Sequence, residues 1–162
     1  MNSTVTIRLM LLALGMTSLL AACGGQSGTA KLQSSIQGSW TIYTTSAQGD
    51  ATLQVTLIPG DCSDTPDFQD LTACFEAGEG IGSISGTGYF LYPPAQVILG
   101  VNSSDGLQVL LTEGAPDGAQ GDSAVFVGSG TVSNGAMSGA FQCDTGSTAC
   151  SGISGTFSGS KN

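Results

Sequence analysis

Histidine is absent from the 162 residues, arginine occurs once, at Arg8, and lysine only at Lys31 and Lys161. Each shortage closes a route. Proton transfer near neutral pH most often runs through an imidazole, and the chain has none. A serine nucleophile needs a neighbouring base, and neither lysine stands beside a plausible one. Nucleic-acid binding requires clustered cations that displace counterions from phosphates. Three scattered cations against twelve carboxylates, net charge −9, do not form such a cluster. The chain also lacks a long apolar run: Leu9 to Leu20 is shorter than the roughly 20 residues a transmembrane helix needs. A paired-carboxylate glycosidase site is disfavoured because the acids gather in loops. The expectation is a protein that is not an enzyme, takes no cofactor and binds no nucleic acid.

What is present begins with an address. Met1 to Arg8 is a short cationic segment, Leu9 to Leu20 is apolar, and Ala21 and Ala22 are small residues before Cys23. This is the three-part layout of an export signal, here a helical segment over 1–22. Leu20-Ala21-Ala22-Cys23 resembles the lipobox of bacterial lipoproteins. The resemblance implies cleavage before Cys23, a diacylglyceryl thioether on its sulfur, and a further acyl chain such as palmitate on the new amino terminus. Two or more chains anchor stably where one holds weakly, so Cys23 would tie the protein to a membrane without a transmembrane helix. Gly24, in place of an aspartate, implies sorting to the outer membrane, on its periplasmic or surface face. The expected location is the cell envelope. Residues 23–37, polar and rich in Gly and Ser, read as a flexible tether.

Residues 38–162 read as one β-domain. Glycine is abundant, at 25 residues, yet β-branched and aromatic residues recur in alternating runs, which disordered segments lack. Trp40 and Ile42 share one strand face; Leu53, Val55 and Leu57 give the clearest period of two. Val97, Leu99 and Val101 face Leu107, Val109 and Leu111 across Ser103-Ser104-Asp105-Gly106, a hairpin. Asn102-Ser103-Ser104 is formally a glycosylation sequon and reads as turn chemistry. Ala124 to Ser133 and Ala136 to Cys143 flank Asn134-Gly135, a strong two-residue hairpin signal, and Ser151 to Ser158 is the last strand. Similar Ser-Gly-Thr triplets recur at Ser85-Gly86-Thr87, Ser129-Gly130-Thr131 and Ser154-Gly155-Thr156, and glycines inside strands permit the bending that closes a small barrel.

Asp61 to Gly80 interrupts this pattern and is expected as a loop insert, with a short helix around Asp67 to Phe75. Its carboxylates, Asp61, Asp64, Asp67, Asp70, Glu76 and Glu79, suggest calcium, but the spacing does not match an EF-hand loop; no metal is expected. Cys62, Cys74, Cys143 and Cys150 form an even set in an exported chain, the pattern of disulfides. Of the three connectivities that four cysteines allow, the neighbour pairs Cys62–Cys74 and Cys143–Cys150 are favoured, because each would clamp one loop. The spacings do not suit zinc.

The fold expected is all-β: a small antiparallel up-and-down barrel of about eight strands, with a β-sandwich as the alternative. A membrane-spanning barrel would need aromatic girdles, for which six Phe, three Tyr and one Trp are too few. Gly38-Ser39-Trp40 is similar to the Gly-x-Trp at the first strand of lipocalins. Two roles follow. The first is a non-enzymatic envelope domain with a structural or partner-binding role, its partner an envelope protein. The second, which the lipocalin likeness implies, is a calycin-like carrier of a small apolar ligand.

Overall fold

The computed structural model describes residues 26–61, 70–78, 80–88, 95–114 and 123–162. One helix, α1 (Gln26–Ile36), precedes nine strands: β1 (Gly38–Ser46), β2 (Gly49–Pro59), β3 (Leu71–Gly78), β4 (Ser83–Thr87), β5 (Gln96–Asn102), β6 (Gly106–Glu113), β7 (Ala124–Ser133), β8 (Ala136–Cys143) and β9 (Ser154–Lys161). All pairings are antiparallel. The ring runs β1, β9, β8, β7, β6, β5, β3, β2 and returns to β1. Eight strands therefore close a barrel, and β4 is an additional strand outside the ring's count.

The closure occurs at β2. Its register with β1 is complete, from Gly38 opposite Leu57 to Ser46 opposite Gly49. Its other edge is shared. β3 meets it only at Ile58 and Pro59, and β4 takes Thr52 to Thr56. A jog around Gly78–Ser83 separates the two. Gly82 lies there so close under Thr56 O that no Cβ would fit. Sharing one edge between β3 and β4 leaves no long free run on β2, the hazard that exposed sheets otherwise carry.

The turns follow from their residues. Asn134 (φ 51°) and Gly135 (φ 73°) both occupy the left-handed region that a tight two-residue hairpin demands. Between β5 and β6, Asn102 Oδ1 accepts hydrogen bonds from the Ser104 and Gly106 backbone N–H groups, at 2.9 and 2.8 Å. The sequon asparagine thus shapes a turn, as its neighbours suggested.

The core is the barrel interior. Alternate residues point inward: Trp40, Ile42 and Thr44 on β1, Ala51 to Leu57 on β2, Phe75 and Ala77 on β3, and so around the ring. On β8 and β9 the fit is reciprocal. Phe141 pairs with Gly155, and Gly139 with Phe157. A Cβ at Gly139 would stand 2.6 Å from the Phe157 ring, and one at Gly155 would stand 2.8 Å from the Phe141 ring. Both glycines also lie under a neighbouring strand's carbonyl, Ser129 O and Thr45 O respectively. Gly155 belongs to one of the recurring triplets; Gly86 and Gly130, in the others, meet Thr52 O and Ser138 O in the same way. The repeated glycine marks places where curved strands approach too closely for a side chain.

Two expectations are corrected. The stretch from Leu71 is neither helix nor loop but barrel strand β3, because Ala73, Phe75 and Ala77 alternate inward; Phe75 and Ala77 are fully buried. The carboxylates around this run masked its period. The expected tether contains α1, whose Ile36 is buried and whose Leu32 packs against the core. Its residues have little helical preference of their own, so packing supplies the stability.

Cys143 and Cys150 form a disulfide, with Cα atoms 5.5 Å apart. It closes the connection between β8 and β9. Cys74, on β3, is disulfide-bonded as well; Cys62, its expected partner, lies outside the described residues. Constraining a loop this short removes roughly 2.5 kcal/mol of unfolded-state entropy. Replacing both Cys143 and Cys150 by alanine is expected to lower unfolding stability by about 2 kcal/mol, seen as a lower urea midpoint with the barrel's far-UV spectrum retained.

Candidate functional site

Three places in the described structure could carry function: the barrel interior, the end closed by α1, and the opposite end. Among the described residues no group of three or more His, Cys, Asp or Glu is placed to hold a metal. Of the six carboxylates considered for calcium, Asp61, Asp70 and Glu76 are described. Glu76 Oε1 accepts a hydrogen bond from the Asp61 N–H at 3.0 Å, tying the end of β2 to β3. Asp64, Asp67 and Glu79 lie outside the described residues, as does Cys23.

The described residues pack the middle of the interior. Phe126 and Phe141 meet edge to face, with ring centroids 6.0 Å apart at 82°, a favoured aromatic geometry. Around them Ile42, Leu53, Leu99, Met137 and Phe157 leave a cavity of about 40 Å³. That holds one or two waters at most, whereas small-molecule sites usually span roughly 300–1,000 Å³.

The α1 end is sealed from the inside by Trp40, which is fully buried. Its indole Nε1–H donates to Ile36 O at 2.7 Å, satisfying one carbonyl in the helix's last turn. Lys161 stands opposite Trp40 on β9. Its ammonium donates to Ser34 O at 2.8 Å and to Ser35 O at 3.0 Å. A cation on the last carbonyls of a helix is favourable both as hydrogen bonding and against the helix dipole. Gly38, at φ 127°, turns the chain from α1 into β1. The Gly38-Ser39-Trp40 motif therefore has a structural role: glycine makes the turn and tryptophan plugs the end. Outside the plug, an open groove of about 510 Å³ runs between α1 and the β5–β6 and β7–β8 turns, lined by Lys31, Leu32, Asn102, Asp105, Val132 and Asn134.

No protein-family model, curated protein or solved structure matches this chain. No helix among the described residues is long and apolar enough to cross a membrane.

The opposite end holds an acid the sequence reading passed over. Glu113, the last residue of β6, is 1 % exposed and Oε1 has no hydrogen-bond partner. Burial raises its pKa from 4.5 to about 8, because a carboxylate loses more than a neutral acid on leaving water. Strand parity signalled this: Leu107, Val109 and Leu111 point inward, and Glu113 continues the same face. Nearby, Ser147 is buried; its hydroxyl donates to Ser123 O at 2.8 Å and accepts from Val125 N–H at 3.3 Å. That hydroxyl is engaged in holding the disulfide loop to β7, so it is not poised as a nucleophile.

Proposed function

We propose that this chain is a bacterial envelope lipoprotein: acyl chains on Cys23 hold a closed, non-enzymatic barrel at the membrane, where it binds an envelope partner through its outer surfaces. The observation that carries this reading is the filled interior. The cavity that the described side chains leave beside Phe126 and Phe141 is about 40 Å³, which favours work at the outside and ends of the barrel over carriage of an apolar ligand. The lipobox-like Leu20-Ala21-Ala22-Cys23 and the shortage of catalytic residue types support the two remaining parts. The outer membrane is the location that Gly24 suggests.

The test compares the native protein with Cys23→Ala. The native protein is expected in the membrane fraction and the variant in the soluble fraction, because the acyl chains are the grip that this reading assigns. Crosslinking in intact envelopes, followed by capture, is expected to recover one reproducible partner from the native protein. Equal membrane retention of both forms would contradict the anchor. An apolar molecule co-purifying at one per chain would contradict the filled interior.

A further inference from the structure

We infer that the barrel stands end-on at the bilayer, with the α1 end facing the lipid at short, restricted range. This rests on the anchoring reading of Cys23 and adds an orientation and a distance to it. The occupant of the α1 end is accordingly a lipid surface.

Were residues 23–38 a loose tether, the barrel could drift about 50 Å from the anchor at full extension, in any attitude. Instead α1 begins at Gln26, three residues after Cys23. The helix is fixed where it meets the barrel, by buried Ile36, by the Trp40 indole on Ile36 O, and by Lys161 on the Ser34 and Ser35 carbonyls. Lys31, Leu32 and Ser35 border the same groove as the β5–β6 and β7–β8 turns, so this part of α1 lies at the barrel's end. From Lys31 back to Gln26 is about 8 Å of helix, and from Gln26 to Cys23 at most about 10 Å of extended chain. Covalent reach alone thus keeps the acylated sulfur no farther than roughly 20 Å from the α1 end.

The far end is farther by the height of the barrel, about 20 Å for tilted strands of this length. That end carries the Ala47-Gln48 turn, Glu113 and the Cys143–Cys150 clamp. Both cations of the processed chain, Lys31 and Lys161, are at the lipid-facing end, with Asp61, Asp70 and Asp105. The charged residues described at the far end outside the core, exposed Asp50 and half-buried Asp144, are both acids, and the buried Glu113 there keeps its proton. The far end is then the surface a partner in the aqueous compartment meets first.

The experiment uses the full acylated protein in vesicles of phosphatidylethanolamine and phosphatidylglycerol carrying an acceptor-labelled lipid. A donor dye is placed through a click-reactive residue at Ser104, in the β5–β6 turn, or at Gln48, in the β1–β2 turn; both sites are exposed. A click handle avoids a free thiol that would exchange with the disulfides. A 20 Å difference in height predicts roughly twofold greater energy transfer from Ser104 than from Gln48. A long Gly/Ser spacer between Gly25 and Gln26 is expected to erase the difference while leaving vesicle binding intact. Equal transfer from the two native positions, or greater transfer from Gln48, overturns the orientation while the anchor stands. A chain of unmodified mass that does not float with the vesicles overturns the anchor and the orientation together.

Discussion

Glu113→Gln is expected to flatten the pH dependence of stability between about pH 4.5 and 8 and to stabilise the barrel at its alkaline side. The sign follows from proton binding. The folded chain keeps a proton on Glu113 up to about pH 8, whereas an unfolded chain releases it near 4.5. Across that window the folded state binds more protons, so rising pH favours unfolding. The group's stabilising contribution is complete below pH 4.5 and is lost as pH rises through 8. The slope is about 1.4 kcal/mol per pH unit from this one residue, or on the order of 5 kcal/mol across the window. That is a large share of a small domain's total stability. Urea unfolding at pH 5, 6.5 and 8 checks it. The native protein is expected to lose midpoint steadily over the series and Glu113→Gln to lose much less. Parallel pH profiles for the two proteins would show that the Glu113 carboxyl is solvated or partnered in solution.

Trp40→Ala is expected to cost about 3–5 kcal/mol, the range for deleting a large buried aromatic, and to release α1 from the barrel. The indole fills the end and satisfies Ile36 O, so truncation opens a cavity and leaves a carbonyl without its donor. Trp40→Phe separates the two contributions. It keeps most of the apolar volume and loses the 2.7 Å hydrogen bond, for an expected cost of about 1–2 kcal/mol plus some packing. Hydrogen exchange reads the local consequence: amides of residues 33–37 are expected to exchange markedly faster in Trp40→Ala, while β7 and β8 keep their protection relative to the global stability. Uniform loss of protection around the whole barrel would instead mean that the plug and the ring unfold as one unit.

The sequence exposed the barrel's character unevenly, for physical reasons. Where polar and apolar residues alternate without interruption, strands were legible nearly to their ends: β7 and β8 fall at Ala124–Ser133 and Ala136–Cys143, around the Asn134-Gly135 turn. The hairpin of β5 and β6 was equally plain. β3 was hidden because its inward face is mostly small, with Ala73 and Ala77 flanking Phe75, and its surroundings are acidic. α1 was hidden for the opposite reason. It has no apolar stripe that would show in isolation; Leu32 and Ile36 become its buried face only because a barrel end is there to receive them. Glu113 and Lys161 were missed as site residues because both stand at strand ends, where a charge reads as the start of a loop. Parity places both on the inward face, one buried with its Oε1 unpartnered and one capping a helix.

The proposed function joins two parts: a lipid-bearing amino terminus and a barrel whose described interior is packed with its own side chains. Intact-mass analysis of the protein extracted gently from membranes tests it most directly. The expected result is a chain beginning at Cys23, heavier than its residues by its acyl groups and lighter by two hydrogen atoms for each disulfide, with no small molecule bound in the native spectrum. A chain that retains Met1 to Ala22, an unmodified Cys23, or a stoichiometric apolar ligand would contradict it.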